Sequence, residues 1–214
     1  MNRHLSWLTA LVVLLAVPWS GNSAAAQTQE EEGTSQPVVV GNVLISPVPL
    51  SASQVKEIAQ RYAASSEATA GSRGPLPVSR CDACSTFDPE LRKVSYFDGG
   101  VYLRCGNAAK WGYWHIKAEH RSQFVTLSYP TDMRWEDLLY WAIYYAITDP
   151  QVKKAYSTAH EACRSRQLLL YDTVRGQLVS SKIYRTVYTY QQPSGADLPN
   201  GTIITTYPSG YHCG

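Results

Sequence analysis

The strongest constraint on this chain is a change of hydrophobic period part-way along it. In the middle, apolar residues recur at helical spacing, and towards the C-terminus they alternate as in strands. The clearest helix is expected over 133–148. There Trp135, Leu138, Leu139, Ala142, Ile143 and Ala146 form one stripe, widened by Trp141, Tyr144 and Tyr145. Thr131 or Asp132 can cap it, and Asp149-Pro150 ends it. Further helices are expected over 111–124 and 152–163. Strand signals follow at 167–171, 177–180, 182–191 and 202–207, separated by Val174-Arg175-Gly176 and Leu198-Pro199-Asn200-Gly201. An earlier hairpin, 94–97 with 101–104, is expected around Asp98-Gly99-Gly100. The sequence therefore predicts an α+β fold, N-terminal helices followed by a C-terminal antiparallel β-sheet, with disulfides.

The chain opens on Arg3 and His4, an apolar run from Leu8 to Val17, and the small residues Ala24-Ala25-Ala26. That order predicts a secretory signal peptide over 1–26, processed after Ala26, and a secreted, extracellular product. The apolar run is shorter than the roughly 20 residues that span a bilayer, and no later run approaches that length, so no membrane association is expected. Residues 27–77 read as a linker, with acidic Glu30, Glu31 and Glu32 and a turn-rich stretch over 71–77. Within it, one helix is possible, capped by Ser53 and carrying Val55, Ile58, Ala59 and Tyr62 on one side. Removing residues 27–51 is expected to leave stability unchanged. The compact domain is expected over 78–214.

A net charge of +2 is far from that of a dedicated duplex-DNA binder, although it permits a polyanionic partner. Export places all five cysteines in an oxidising space, which predicts two disulfides and one cysteine free or paired between chains. Cys213 is expected to tie down the terminus. Cys81-x-x-Cys84 also has the spacing of a zinc knuckle, and a zinc protein using both with a histidine is one rival reading. No second knuckle completes it, and His160-Glu161 lacks the second histidine of a zincin motif.

Three segments carry candidate chemistry. Gly112-Tyr113-Trp114-His115-Ile116-Lys117-Ala118-Glu119-His120-Arg121 brings two imidazoles close to two cations. Imidazoles serve as acid and base near neutral pH, and Lys117 and Arg121 suit a phosphate. On an unbroken helix, residues five apart are roughly 140° apart, so His115 and His120 share a pocket only if the helix begins between them. The closing strand, Gly201-Thr-Ile-Ile-Thr205-Thr206-Tyr207-Pro208, alternates Ile203, Thr205 and Tyr207 onto one face. Ser181-Lys182-Ile-Tyr184-Arg185-Thr186-Val-Tyr188-Thr-Tyr190 offers Arg185 and a tyrosine face suited to stacking bases.

In this order the segments resemble metal-independent ribonuclease domains of bacterial toxins, the Barnase–EndoU–colicin–RelE-like and RNase A-like groups, over about residues 101–208. The resemblance implies a site made of a helix-borne histidine, a basic residue and a Thr-x-Tyr pair on the last strand. Carried over, these are His115 or His120, Lys117 or Arg121, and Thr205 with Tyr207; beside them, the residues themselves suggest Arg121, Arg185 and Tyr188 for contacts to phosphate or RNA. It further implies cleavage of RNA by attack of a 2′-OH on phosphorus, no cofactor and no metal, no action on DNA, and a cognate immunity or inhibitor protein as a possible partner. The other rival is a non-catalytic, disulfide-bonded binding or inhibitor domain. Convergence of the histidines with Thr205 and Tyr207 separates it from the enzyme.

Overall fold

A computed structural model describes residues 36–68 and 84–214. The signal-peptide reading, the acidic run, the turn-rich stretch, the expected domain start at 78 and Cys81 lie outside the described residues. The elements are β1 (Val38–Val40), β2 (Val43–Ser46), α1 (Ala52–Ala68), β3 (Lys93–Phe97), β4 (Val101–Arg104), α2 (Gly112–Glu119), α3 (Arg121–Ser128), α4 (Trp135–Thr148), β5 (Val152–Tyr156), β6 (Glu161–Asp172), β7 (Gln177–Thr189) and β8 (Ile203–Ser209). The fold is mixed α+β, and all its strand pairs are antiparallel.

The main sheet runs β1-β2-β6-β7-β8. β7 fills one edge of β6, while β5 and β2 share the other, β5 beside 161–165 and β2 beside 169–172. β8 is the outer strand. β3 and β4 form a separate hairpin about Asp98–Gly100, where Gly99 and Gly100 take φ of 72° and 75°. The Asp-Gly-Gly signal is therefore read correctly from sequence.

Alternation along β6 sends its side chains to two layers. Leu168 and Leu170 join Tyr184, Tyr188 and the α4 stripe of Leu138, Leu139, Ala142 and Ile143 in the larger core. Leu169 and Tyr171 face the other way and pack with Leu44 and Val55 under α1. α1 is thus docked against the sheet. Its cap is Ser51 rather than Ser53: the Gln54 amide donates to Ser51 Oγ at 3.3 Å, and the Ser51 amide donates back to Gln54 Oε1 at 2.9 Å.

Four sequence expectations change. The chain does not place helices first, because β1, β2, β3 and β4 precede α2. Residues 38–46 are not linker but a hairpin in the sheet, and Val43, Leu44 and Ile45 are all 0% exposed. Deleting 27–51 would strip these three side chains from both cores and bare the edge of β6, so the segment is not dispensable. The helix expected over 152–163 is instead the β5–β6 hairpin, with His160 in the turn at φ 51°. Cross-strand pairing overrides the weak helical preference of Lys153, Lys154 and Ala155. α4 begins at Trp135, two residues late, because Thr131 Oγ1 donates to Ser128 O at 2.6 Å and so closes the preceding turn.

Cys84–Cys105 and Cys163–Cys213 are disulfides, with Cα atoms 5.6 and 5.9 Å apart. Cys84 is therefore spent in a disulfide, which removes it from the rival zinc-knuckle reading with Cys81. Cys163–Cys213 does tie down the C-terminus.

Candidate active site at the helix corner and the last strand

The segment that launches α2 is fixed by backbone. The Asn107 amide donates to Trp111 O at 3.0 Å, and the Trp114 amide donates to Cys105 O at 3.0 Å. Gly112 has φ 82°, and a Cβ there would lie 2.8 Å from Gly106 Cα. Glycine is required by both conformation and space. His115 follows on the first turn, its Nδ1 3.3 Å from Ala108 O.

Helical geometry does not carry straight through to His120. At φ −122° and ψ −7° it closes α2, its amide donating to Ile116 O at 2.8 Å, and it also opens α3. The break turns the imidazole back, so that the rings of His115 and His120 meet edge-on with centroids 6.0 Å apart. The sequence expectation required a helix starting between the two histidines. A helix ending at the second achieves the same convergence.

The α2–α3 corner lies against β8. His120 stacks on Tyr207, with centroids 5.0 Å apart and planes 28° apart. Tyr207 pairs with Arg185 across the strands, and Arg185 pairs with Ser165. The Arg185 guanidinium carbon lies 5.5 Å from the Tyr207 centroid and 5.2 Å from that of Tyr211, within cation–π range. Thr205 lies two residues from Tyr207 on the same strand face.

That face differs in one respect from the sequence reading. Val187 pairs with Thr205 and Tyr188 with Ile203, so Ile204 is a bulge. Ile203 and Thr206 consequently point to the core, both 0% exposed, while Thr205 and Tyr207 stay together outside it.

His115, His120, Arg185, Thr205 and Tyr207 are all half-buried, accessible yet partly shielded from water. Three buried polar atoms among them, His120 Nδ1, Arg185 Nε and Thr205 Oγ1, have no hydrogen-bond partner. The large majority of such side-chain atoms are satisfied in folded proteins. The other unpartnered atoms among the described residues are Ser95 Oγ, Arg166 Nε and Tyr184 OH, on β3 and on the core side of β6 and β7. Burial, and then the neighbouring His115, push the His120 pKa below the ordinary histidine value, partly opposed by Glu119 and Gln123. The neutral imidazole is favoured there, which is the form a general base needs.

The other candidate residues lie elsewhere. Lys117 is roughly 200° around α2 from His115, and its Nζ sits 4.7 Å from the Trp114 ring centroid. Arg121 is exposed at the start of α3. Tyr188 is only 6% exposed and lies within the larger core beside Tyr184. The expected base-stacking face of β7 is therefore core, because Tyr184, Thr186 and Tyr188 all point under the helices. The cation brought to Tyr207, the ring on which His120 stacks, is Arg185. Tyr211 was not singled out in the sequence, where it is one more polar-aromatic tail residue. A depression of about 300 Å³ beside Asn42, Tyr129, Thr131, Asp132, Asp172 and Arg175 holds none of the candidate residues.

No protein-family model, curated protein or solved structure matches this chain. What the cluster does rests on its own chemistry.

Proposed function

We propose that this chain is an exported, metal-independent endoribonuclease whose site joins His115 and His120 to Arg185, Thr205 and Tyr207. The observation that supports this reading best is the stack of His120 on Tyr207, with Arg185 on the same tyrosine, from three segments far apart in sequence. A purely structural cluster would be expected to satisfy its buried polar atoms with one another, whereas three here have no hydrogen-bond partner within the protein.

In this reading His120, neutral because it is partly buried beside His115, removes the proton from an RNA 2′-OH. The resulting oxygen attacks the adjacent phosphorus. His115, 6.0 Å away ring to ring, protonates the departing 5′-oxygen. Arg185 and the hydroxyls of Thr205 and Tyr207 hydrogen-bond the phosphoryl oxygens as their charge grows. The bond formed is 2′-O–P and the bond broken is P–5′-O. The products are a 2′,3′-cyclic phosphate and a free 5′-OH. DNA has no 2′-OH and survives. The two disulfides suit an oxidising compartment. A cognate inhibitor protein belongs to the same reading as the partner that would protect a producing cell.

The test is incubation of oxidised protein with mixed RNA and with DNA, with and without EDTA. Cyclic-phosphate ends from RNA alone, unaffected by EDTA and lost in His120→Ala, are expected. EDTA-sensitive cleavage would overturn the mechanism, and full activity in both His115→Ala and His120→Ala would overturn the site.

A further inference from the structure

Residues 209–214 are tied to the sheet and to one another at several points. Cys213 is disulfide-bonded to Cys163. Ser165 Oγ lies 2.9 Å from His212 Nδ1 and accepts the Cys213 amide at 3.2 Å. Ser209 Oγ donates to Tyr211 O at 2.8 Å and accepts the Tyr211 amide at 3.2 Å. Tyr156 OH donates to Gly214 O at 2.8 Å. Between these ties, the Tyr211 side chain is left in solvent, 69% exposed.

Its surroundings give that exposure a direction. Ser165, Arg185 and Tyr207 are successive cross-strand neighbours on β6, β7 and β8. The tail crosses this row, pinned at Ser165, and sets the Tyr211 ring 5.2 Å from Arg185. Arg185 thus lies within cation–π range of two tyrosines, Tyr207 towards the histidines and Tyr211 towards solvent. A base and its phosphate are one sugar apart in a nucleotide, and an exposed ring next to a guanidinium offers complementary groups at that spacing. Stacking of this kind tolerates any base and needs a single strand, because in a duplex both faces of a base are covered by its stacked neighbours.

Resting on the ribonuclease reading, we propose that Tyr211 is the base-stacking subsite of this site. It receives a nucleobase of single-stranded RNA next to the phosphate held by Arg185, and the Cys163–Cys213 disulfide keeps it in place. Tyr211 is a substrate-binding residue with no part in proton transfer. Its loss raises KM and leaves kcat nearly unchanged.

A fluorescein-labelled single-stranded oligodeoxynucleotide, which has no 2′-OH to react, tests binding apart from chemistry. By anisotropy at low salt, Tyr211→Ala should weaken its binding by about 5- to 150-fold, the range for loss of one base–aromatic stack. Tyr211→Phe should bind like the parent, and a thiol assay on each variant checks that Cys163–Cys213 is intact. A duplex of the same sequence should bind more weakly and respond little to Tyr211→Ala. Equal binding of the single strand by parent and Tyr211→Ala, or no binding by the parent, overturns the proposal. Tyr211-dependent binding without RNA cleavage would leave the subsite standing and overturn the ribonuclease reading. Cleavage with an unchanged KM in Tyr211→Ala would do the reverse.

Discussion

The β7–β8 pair has two faces made from alternate residues of the same strands, and they are built on opposite terms. On the core side, Tyr184, Thr186, Ile203 and Thr206 are all 0% exposed, and the hydroxyls of Thr186 and Thr206 lie 3.2 Å apart. Phe124 from α3 stacks on Tyr184 with centroids 5.8 Å apart. On the other side, Arg185, Thr205 and Tyr207 are half-buried, and two of their polar atoms have no partner. One face spends its residues mainly on packing, although the buried Tyr184 hydroxyl there also has no partner. The other holds polar groups in place with their hydrogen-bonding capacity free, which is the arrangement a binding or catalytic site requires.

The comparison is tested most severely by one substitution on each side. His120→Ala should lower RNA cleavage by about 10²–10⁴-fold while the melting temperature barely moves. Tyr184→Ala, one residue before Arg185 but facing the core, should cost about 3–5 kcal/mol of stability by chemical denaturation. A stability loss of that size in His120→Ala, or none in Tyr184→Ala, would mean the two faces are not divided as described.

Removing Cys163–Cys213 by paired serine substitution should cost about 4 kcal/mol for a loop of 50 residues in the chain-entropy model. It should also weaken oligonucleotide binding, since the tail that carries Tyr211 is released. Unchanged stability would place the tail outside the folding unit.

Arg185→Ala sharpens the contrast at intermediate size. Loss of one charge-stabilising donor lowers such rates by about 10²–10³-fold, yet stability should stay within about 0.5 kcal/mol, because the Nε removed has no partner. A stability loss near that of Tyr184→Ala would make Arg185 a structural residue.

The smallest effect concerns pH. Burial first, and His115 second, hold the His120 pKa down, so the folded chain binds a proton there less readily than the unfolded chain does. This site therefore favours folding least in acid, and its contribution to stability falls as pH drops through the ordinary histidine range towards the folded value. His115→Ala removes the second cause and leaves the first, so the His120 titration followed by NMR should move up part of the way. A downward shift would contradict the assigned proximity of the rings.

Local patterns carried much of the architecture. The α4 stripe, the Asp98-Gly99-Gly100 hairpin and the adjacency of Thr205 and Tyr207 follow from period and turn chemistry within a few residues, and all three are present. Residues 152–163 are hard to read because a short strand such as VKKAY carries little signal until a partner strand fixes its hydrogen bonds. Residues 38–46, in contrast, do carry two β-branched runs about Gly41-Asn42, a hairpin signal masked by the linker-like composition around it. The choice of Arg185 over Lys117 was likewise hidden. Arg185 follows Tyr184 directly and Lys117 follows Trp114 by three positions, and only strand register shows which cation lies across from Tyr207.

By itself, then, the sequence determined what short-range forces settle: the helix faces, the turns, the class of fold and the residue types from which a site could be drawn. Tertiary structure decided which of them meet. The break at His120, the Ile204 bulge and the tail pinned to Ser165 each depend on contacts between distant segments, and no local propensity encodes those contacts.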